Sequence, residues 1–376
     1  MKNTFKAGHL IGFLAGMWIL ISPGQSLAET WQHAWSVKTS AEYDSNPTMT
    51  PINPESISRY LLEPSYRLRT TKGSDELDIG LALQIARSTN TALSQNREDP
   101  SLFFGWRHPR ETGEFGVTAR YDEASTRTIE IDNFGLFLIE NTRVNRAVSG
   151  NWSEALTERT TFAGDVGYQE VTYKKGTNNA GNFVDFSSRS SGLMLSYAWS
   201  ERQTTFFKLA YADYEPKYSN STSRLTIASA GWVWKVSDTL QGTLVAGKSK
   251  RSNAEMSTQG GLTLRYTGQR SGVELRVDRQ ISPSGLGGFI TVDQASASWS
   301  YALSERSKAG IDLGWHKNKS YFNSVTRTSG LWVNYDFNSG WGAQTYYRYR
   351  ASDGGQGVAA SSNIVGVSLV YNFSDF

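Results

Sequence analysis

The sequence predicts an all-β chain, a transmembrane antiparallel up-and-down β-barrel of about 18 strands (16–18). Three observations carry that expectation. Apolar and polar residues alternate with a period of two from Trp31 to the C terminus. The connections between the alternating segments are short and long by turns. The chain is rich in aromatics, with 12 Trp, 18 Tyr and 17 Phe, although its mean hydropathy is only −0.45. Strands with one side in hydrocarbon, one side in water and aromatic girdles at both interfaces combine these properties.

The alternation is explicit. Leu77, Ile79, Leu81, Leu83 and Ile85 interleave with Asp78, Gly80, Ala82, Gln84 and Ala86. Phe115, Val117, Ala119 and Tyr121 interleave with Gly116, Thr118, Arg120 and Asp122. The same holds for Val273, Leu275 and Val277 and for Leu331, Val333, Tyr335 and Phe337. Successive side chains of a strand point to opposite faces, so each segment has a greasy and a wet side. Strands are expected near 33–43, 57–70, 75–87, 100–107, 113–124, 143–152, 160–173, 186–199 and 202–214. The second half continues near 222–236, 239–249, 257–266, 272–280, 289–303, 307–317, 325–337, 341–351 and 362–373. Segments of about 10–14 residues cross a hydrocarbon layer when tilted. Short links such as 304–306 and 338–340 alternate with long ones such as 44–56, 88–99, 125–142 and 281–288. Turns at one rim and loops at the other are the pattern of a bacterial outer-membrane barrel. An even count leaves both termini on the turn side. A soluble sandwich would bury its apolar faces against each other, and no blade-length repeat suggests a propeller.

Residues 1–28 read as a cleavable secretory signal: Lys2 and Lys6, an apolar run from Leu10 to Ile21, then Ser26-Leu27-Ala28. The barrel is then 29–376. No stretch is apolar for 18 residues, so no helical span is expected. Setting Lys2 and Lys6 aside, 36 of the 38 basic residues remain against 35 acidic ones. That balance speaks against a nucleic-acid partner, which requires a concentrated basic field. The chain has no Cys. Its mature part has three histidines, His33, His108 and His316, without metal-ligand spacing or a nucleophile–base arrangement. No catalysis, metal or cofactor is expected.

A charge on the lipid side costs up to about 2–4 kcal/mol at the midplane, so strand charges should face the lumen. The candidate lumen-lining residues are Arg67, Arg69, Arg107, Arg120, Lys208, Arg265, Arg276, Arg348, Arg350 and Asp312. Two readings stay open. Opposite charges could pair across strands and form a wet wall. Alternatively Arg67, Arg69, Arg348 and Arg350, on the second and seventeenth strands, could converge as a basic track for an anionic solute. Phe103, Trp332 and Tyr346 fall on the lumen side as well, where rings can stack on sugars. Residues 125–142 alternate on both sides of Asp132–Gly135; they suit a hairpin that protrudes, or a loop that folds inward and narrows the pore.

The segment Glu42-Tyr43-Asp44-Ser45-Asn46-Pro47 at the end of the first strand resembles the β-barrel porin 2 group, outer-membrane barrels tied to exopolysaccharide-export operons. Asn96–Pro100 and Tyr121–Thr126 are similar to that group too, and the layout agrees over the whole mature chain. The resemblance implies an outer-membrane channel, an exit pore for an exopolysaccharide or another solute, working with a periplasmic polysaccharide-export protein. It carries over no catalytic residues. The last strand, Val365 to Phe373 followed by a terminal Phe376, resembles the signal read by barrel-assembly machinery. The competing reading is a non-conducting barrel in outer-membrane lipid, acting as a surface scaffold or receptor through its long loops.

Overall fold

The computed structural model describes residues 30–129, 140–174, 183–218, 222–252, 254–318, 324–354 and 358–374. The expected signal, 1–28, and the centre of the 125–142 loop lie outside the described residues. Eighteen strands form one sheet. They are β1 Thr30–Asp44, β2 Ile57–Lys72, β3 Asp75–Ser88, β4 Arg97–Pro109, β5 Gly113–Ser125, β6 Thr142–Ala155, β7 Thr160–Lys174, β8 Phe186–Ser200 and β9 Gln203–Pro216. Then come β10 Ser223–Lys235, β11 Leu240–Arg251, β12 Ser257–Thr267, β13 Ser271–Ser284, β14 Gly288–Ala302, β15 Ser307–Asn318, β16 Ser324–Asp336, β17 Trp341–Gly354 and β18 Val358–Ser374. Each pairs antiparallel with its sequence neighbours, and β1 closes on β18 from Ala34↔Ser374 to Asp44↔Ile364. Closure leaves no edge with unpaired amides, which a lipid environment requires.

The register fixes the shape. The hydrogen-bonded row that starts at Gln32 on β1 climbs strand by strand to Arg251 on β11. The row from Gln241 on β11 continues to Asp44 on β1. The total stagger is about 22 residues, which for 18 strands sets a tilt of ~42° and a radius of about 17 Å.

Tight turns hold the periplasmic rim. Leu156, Val236, Leu303 and Phe337 each donate a backbone N–H four residues on, to Thr160, Leu240, Ser307 and Trp341. Gly73, at φ 61°, supplies the left-handed residue of the β2–β3 turn. The outer face is apolar where the sequence alternates. Leu193, Val277, Leu313, Leu331 and Val367 are all more than one third exposed, because their solvent is lipid. Trp35, Tyr371, Phe373 and Trp341 cluster with ring centroids 4.8–5.8 Å apart on the outside near the turns, one arc of the lower girdle. A buried charge there has no water to turn to. Leu331→Arg is therefore expected to cost about 2–4 kcal/mol of folding free energy in lipid vesicles, measured by urea titration.

Two expected loops are strand instead. The 352–361 connection shrinks because β17 runs to Gly354 and β18 starts at Val358. The 281–288 connection is the tip of a β13–β14 hairpin, with pairing up to Ser284↔Gly288. Gly287 and Gly288, at φ 100° and 151°, turn the chain there.

Candidate functional site

The site is the inside of the wall and what crosses it. Register places Arg67, Arg69, Arg107, Arg120, Lys208, Arg265, Arg276, Arg348, Arg350 and Asp312 on the face opposite the apolar band. Seven of the basic residues reach a carboxylate. Arg67 Nε donates to Asp78 at 2.7 Å, and Arg69 Nε lies 3.4 Å from the same residue. Arg107 reaches Glu76 at 3.0 Å and Glu114 at 3.6 Å. Arg120 pairs with Asp122 at 2.9 Å, Arg265 with Glu274 at 2.7 Å and Arg276 with Asp278 at 2.7 Å. Lys208, the seventh, stands 3.8 Å from Asp165. Exposed pairs of this kind contribute about 0–1 kcal/mol each. Their effect is to line the lumen with polar groups whose charges largely cancel.

The four-arginine track does not form. Arg348 on β17 shares its row with Ile364, Asp44 and Ile57. Arg67 lies ten residues further along β2 than Ile57, ~33 Å at the rise of a strand. Adjacent strands in a tilted barrel are staggered, so nearness around the ring is not nearness in height. Arg67 and Arg69 are also engaged by Asp78, whereas Arg348 lies with its guanidinium 5.9 Å from the Tyr346 ring centre.

What crosses the lumen is the β13–β14 hairpin. Pairing with β12 ends at Asp278, and pairing with β15 ends at Val292. Beyond those points the hairpin leaves the wall on both sides. It reaches the strands β7–β10 instead. Phe289 packs with Val171, Phe186, Tyr214 and Leu225 in one buried cluster, joined by Ile281 and Ile227. The Phe289 and Tyr214 rings lie 6.1 Å apart, and Phe186 stacks on Tyr214 at 4.9 Å. Val184 N–H donates to Gly285 O at 2.8 Å, and Arg251 Nη1 donates to Phe289 O at 3.0 Å. Arg279 and Asp293 bracket the base of the hairpin, 2.5 Å apart. The hairpin is thus pinned across the mouth by apolar contact and two polar ties.

A second knot joins the β3–β4 and β5–β6 connections at the same rim. Arg97 holds Asp99 with two hydrogen bonds of 2.9 Å and donates to Asn141 O at 3.1 Å. Both side chains are only 6–7% exposed. Arg127, in the helical turn after β5, donates to Leu93 O at 2.9 Å and lies 3.7 Å from Glu140. Burial pulls the Arg127 guanidinium below its ordinary value, and the Glu140 carboxylate opposes that pull. The loop root is therefore fastened to its neighbour.

The lumen aromatics lie flat. A Cβ on Gly231 would collide with the Phe206 ring, one on Gly310 with Trp332, and one on Gly366 with Tyr346. In each case the glycine is the ring's register partner, so the ring covers bare backbone on the next strand. Trp332 Nε1 donates to Asp312 at 2.9 Å, and Tyr346 Oη donates to Glu42. Among the described residues, no cluster of His, Asp or Glu is arranged to hold a metal ion.

No family model matches the sequence, and none of the curated proteins matches it. Solved structures are similar in fold. OccK9 (OpdG) of Pseudomonas aeruginosa is 11% identical with a TM-score of 0.53, over 92% of this chain and 98% of that one. The outer membrane protein opdK of the same organism is 10% identical, TM-score 0.52, over 92% and 99%. OccK3 (OpdO) is 10% identical, TM-score 0.51, over 92% and 96%. The fold is that of bacterial outer-membrane porins, and its closed wall with an apolar outside belongs in the outer membrane.

Proposed function

We propose that the chain is an outer-membrane channel for a water-soluble solute, narrowed near its outer mouth by the β13–β14 hairpin. The observation that carries this reading is the lumen wall. Its strand charges pair with one another along the inside around a bore of about 17 Å backbone radius. A wall of that polarity stays wet, and a barrel this wide holds water. The cargo that fits the sequence resemblance is an exopolysaccharide on its way out, handed over by a periplasmic polysaccharide-export protein. A largely charge-balanced lumen suits a bulky polyhydroxyl chain better than a small anion, because most of the lumen arginines, Arg67 and Arg69 among them, are already held by carboxylates.

The test is electrical and genetic. The purified chain in planar bilayers should open ohmic channels, and a deletion strain should lose secreted polysaccharide. A barrel that inserts into bilayers yet conducts under no voltage or salt condition would overturn the channel and favour a surface scaffold. Unchanged polysaccharide secretion with a conducting barrel would overturn the cargo alone.

A further inference from the structure

Four strands, β15 to β18, carry an arrangement that the ion-paired wall does not explain. One hydrogen-bonded row reads Gly310, Trp332, Tyr346, Gly366. Trp332 leans over Gly310 and Tyr346 leans the opposite way over Gly366. The two rings therefore lie on the wall on the order of 10 Å apart, each with one face on backbone; the Arg348 guanidinium stands over Tyr346, 5.9 Å from its ring centre. Each ring is held by its polar edge: the indole N–H on Asp312, the phenol O–H on Glu42. The next lumen row reads Asp312, Gly330, Arg348. A carboxylate and a guanidinium thus flank a flat glycine floor directly beside the rings.

We propose that this row is a pyranose-binding platform. Aromatic faces attract the C–H face of a sugar ring, and the hydroxyls around its rim need charged or amide partners in the plane of the ring. Asp312 has acceptor capacity beyond its bond to Trp332, and Arg348 offers donors on the other flank. Glycine at 310, 330 and 366 keeps the floor low enough for a chain of sugars to lie against the wall. Two rings about two sugar units apart along a sloping row would guide such a chain while releasing each unit readily.

The proposal rests on the channel reading, and one experiment separates the two. Single channels in planar bilayers are exposed to maltoheptaose, cellohexaose, chitohexaose and an alginate hexamer in turn. At least one series should interrupt the ion current, with longer interruptions for longer oligomers. Trp332→Ala and Tyr346→Ala should shorten those interruptions roughly tenfold each, in keeping with the loss of one stacking contact. Unchanged strand content by circular dichroism and unchanged insertion into the bilayer show that the barrel of each variant is intact. Trp332→Phe should restore most of the effect, and Phe206→Ala, whose row Ser196, Phe206, Gly231 carries no second ring, should not reduce it. Conducting channels that none of the four oligomers interrupts would overturn the platform and leave the channel standing. Interruptions that Trp332→Ala and Tyr346→Ala leave unaltered would overturn it too. Absence of any conductance would remove the channel reading, and the platform with it.

Discussion

Excising the hairpin tip should at least double the single-channel conductance. The variant replaces residues 281–291 with a short Gly-Ser link that joins Gln280 to Val292. These residues pair only with each other in the sheet, because β12 stops at Asp278 and β15 at Val292, so their removal leaves the closed wall complete. A two-stranded ribbon is about 10 Å wide, and side chains reduce the ~34 Å bore set by the shear to little more than twice that. Conductance follows the narrowest cross-section, so clearing the ribbon gives about a twofold gain or more. Phe289→Ala is the milder companion. It empties the centre of the cluster with Val171, Phe186, Tyr214 and Leu225, a loss of about 3–5 kcal/mol of local packing. It should give a channel that flickers between the two conductance levels. An excised variant with wild-type conductance would place the constriction elsewhere.

Arg97→Ala should destabilise the folded barrel by about 3–5 kcal/mol. The change removes the two bonds to Asp99 and the one to Asn141, and leaves a carboxylate that is 7% exposed without its cation. The double variant Arg97→Met, Asp99→Leu should recover most of that loss, because a buried pair is costly to break and cheap to replace whole. Urea titration in vesicles measures both. Equal destabilisation by the single and double variants would mean that the site depends on shape rather than on the paired charge.

Much of this was legible in the sequence, for a definite reason. A period of two is a local property, and Leu77 to Ala86 or Leu331 to Phe337 show which side is greasy without any knowledge of partners. The count of strands and the inward direction of Arg67, Arg120, Arg276 and Arg348 follow from it. What failed was long-range. The proposed meeting of Arg67, Arg69, Arg348 and Arg350 assumed level strands, and the stagger of the barrel separates them along the wall. The constriction was missed because Ile281, Phe289 and Ile290 fit a loop and a strand equally well. A signal was present all the same: Val171, Phe186, Tyr214 and Leu225 sit at lumen positions near the outer mouth, where alternation calls for polar residues. Apolar residues on the wet side imply something greasy to cover them.

The central claim is that each strand divides lipid from water at every residue step, and the absence of Cys makes it directly measurable. Single cysteines at Gly330, Leu331, Trp332 and Val333, on otherwise unaltered chains in lipid vesicles, would be treated with a membrane-impermeant maleimide. The expected pattern is rapid labelling at 330 and 332 and protection at 331 and 333. Equal labelling at all four positions, or the reverse order, would contradict the barrel described above.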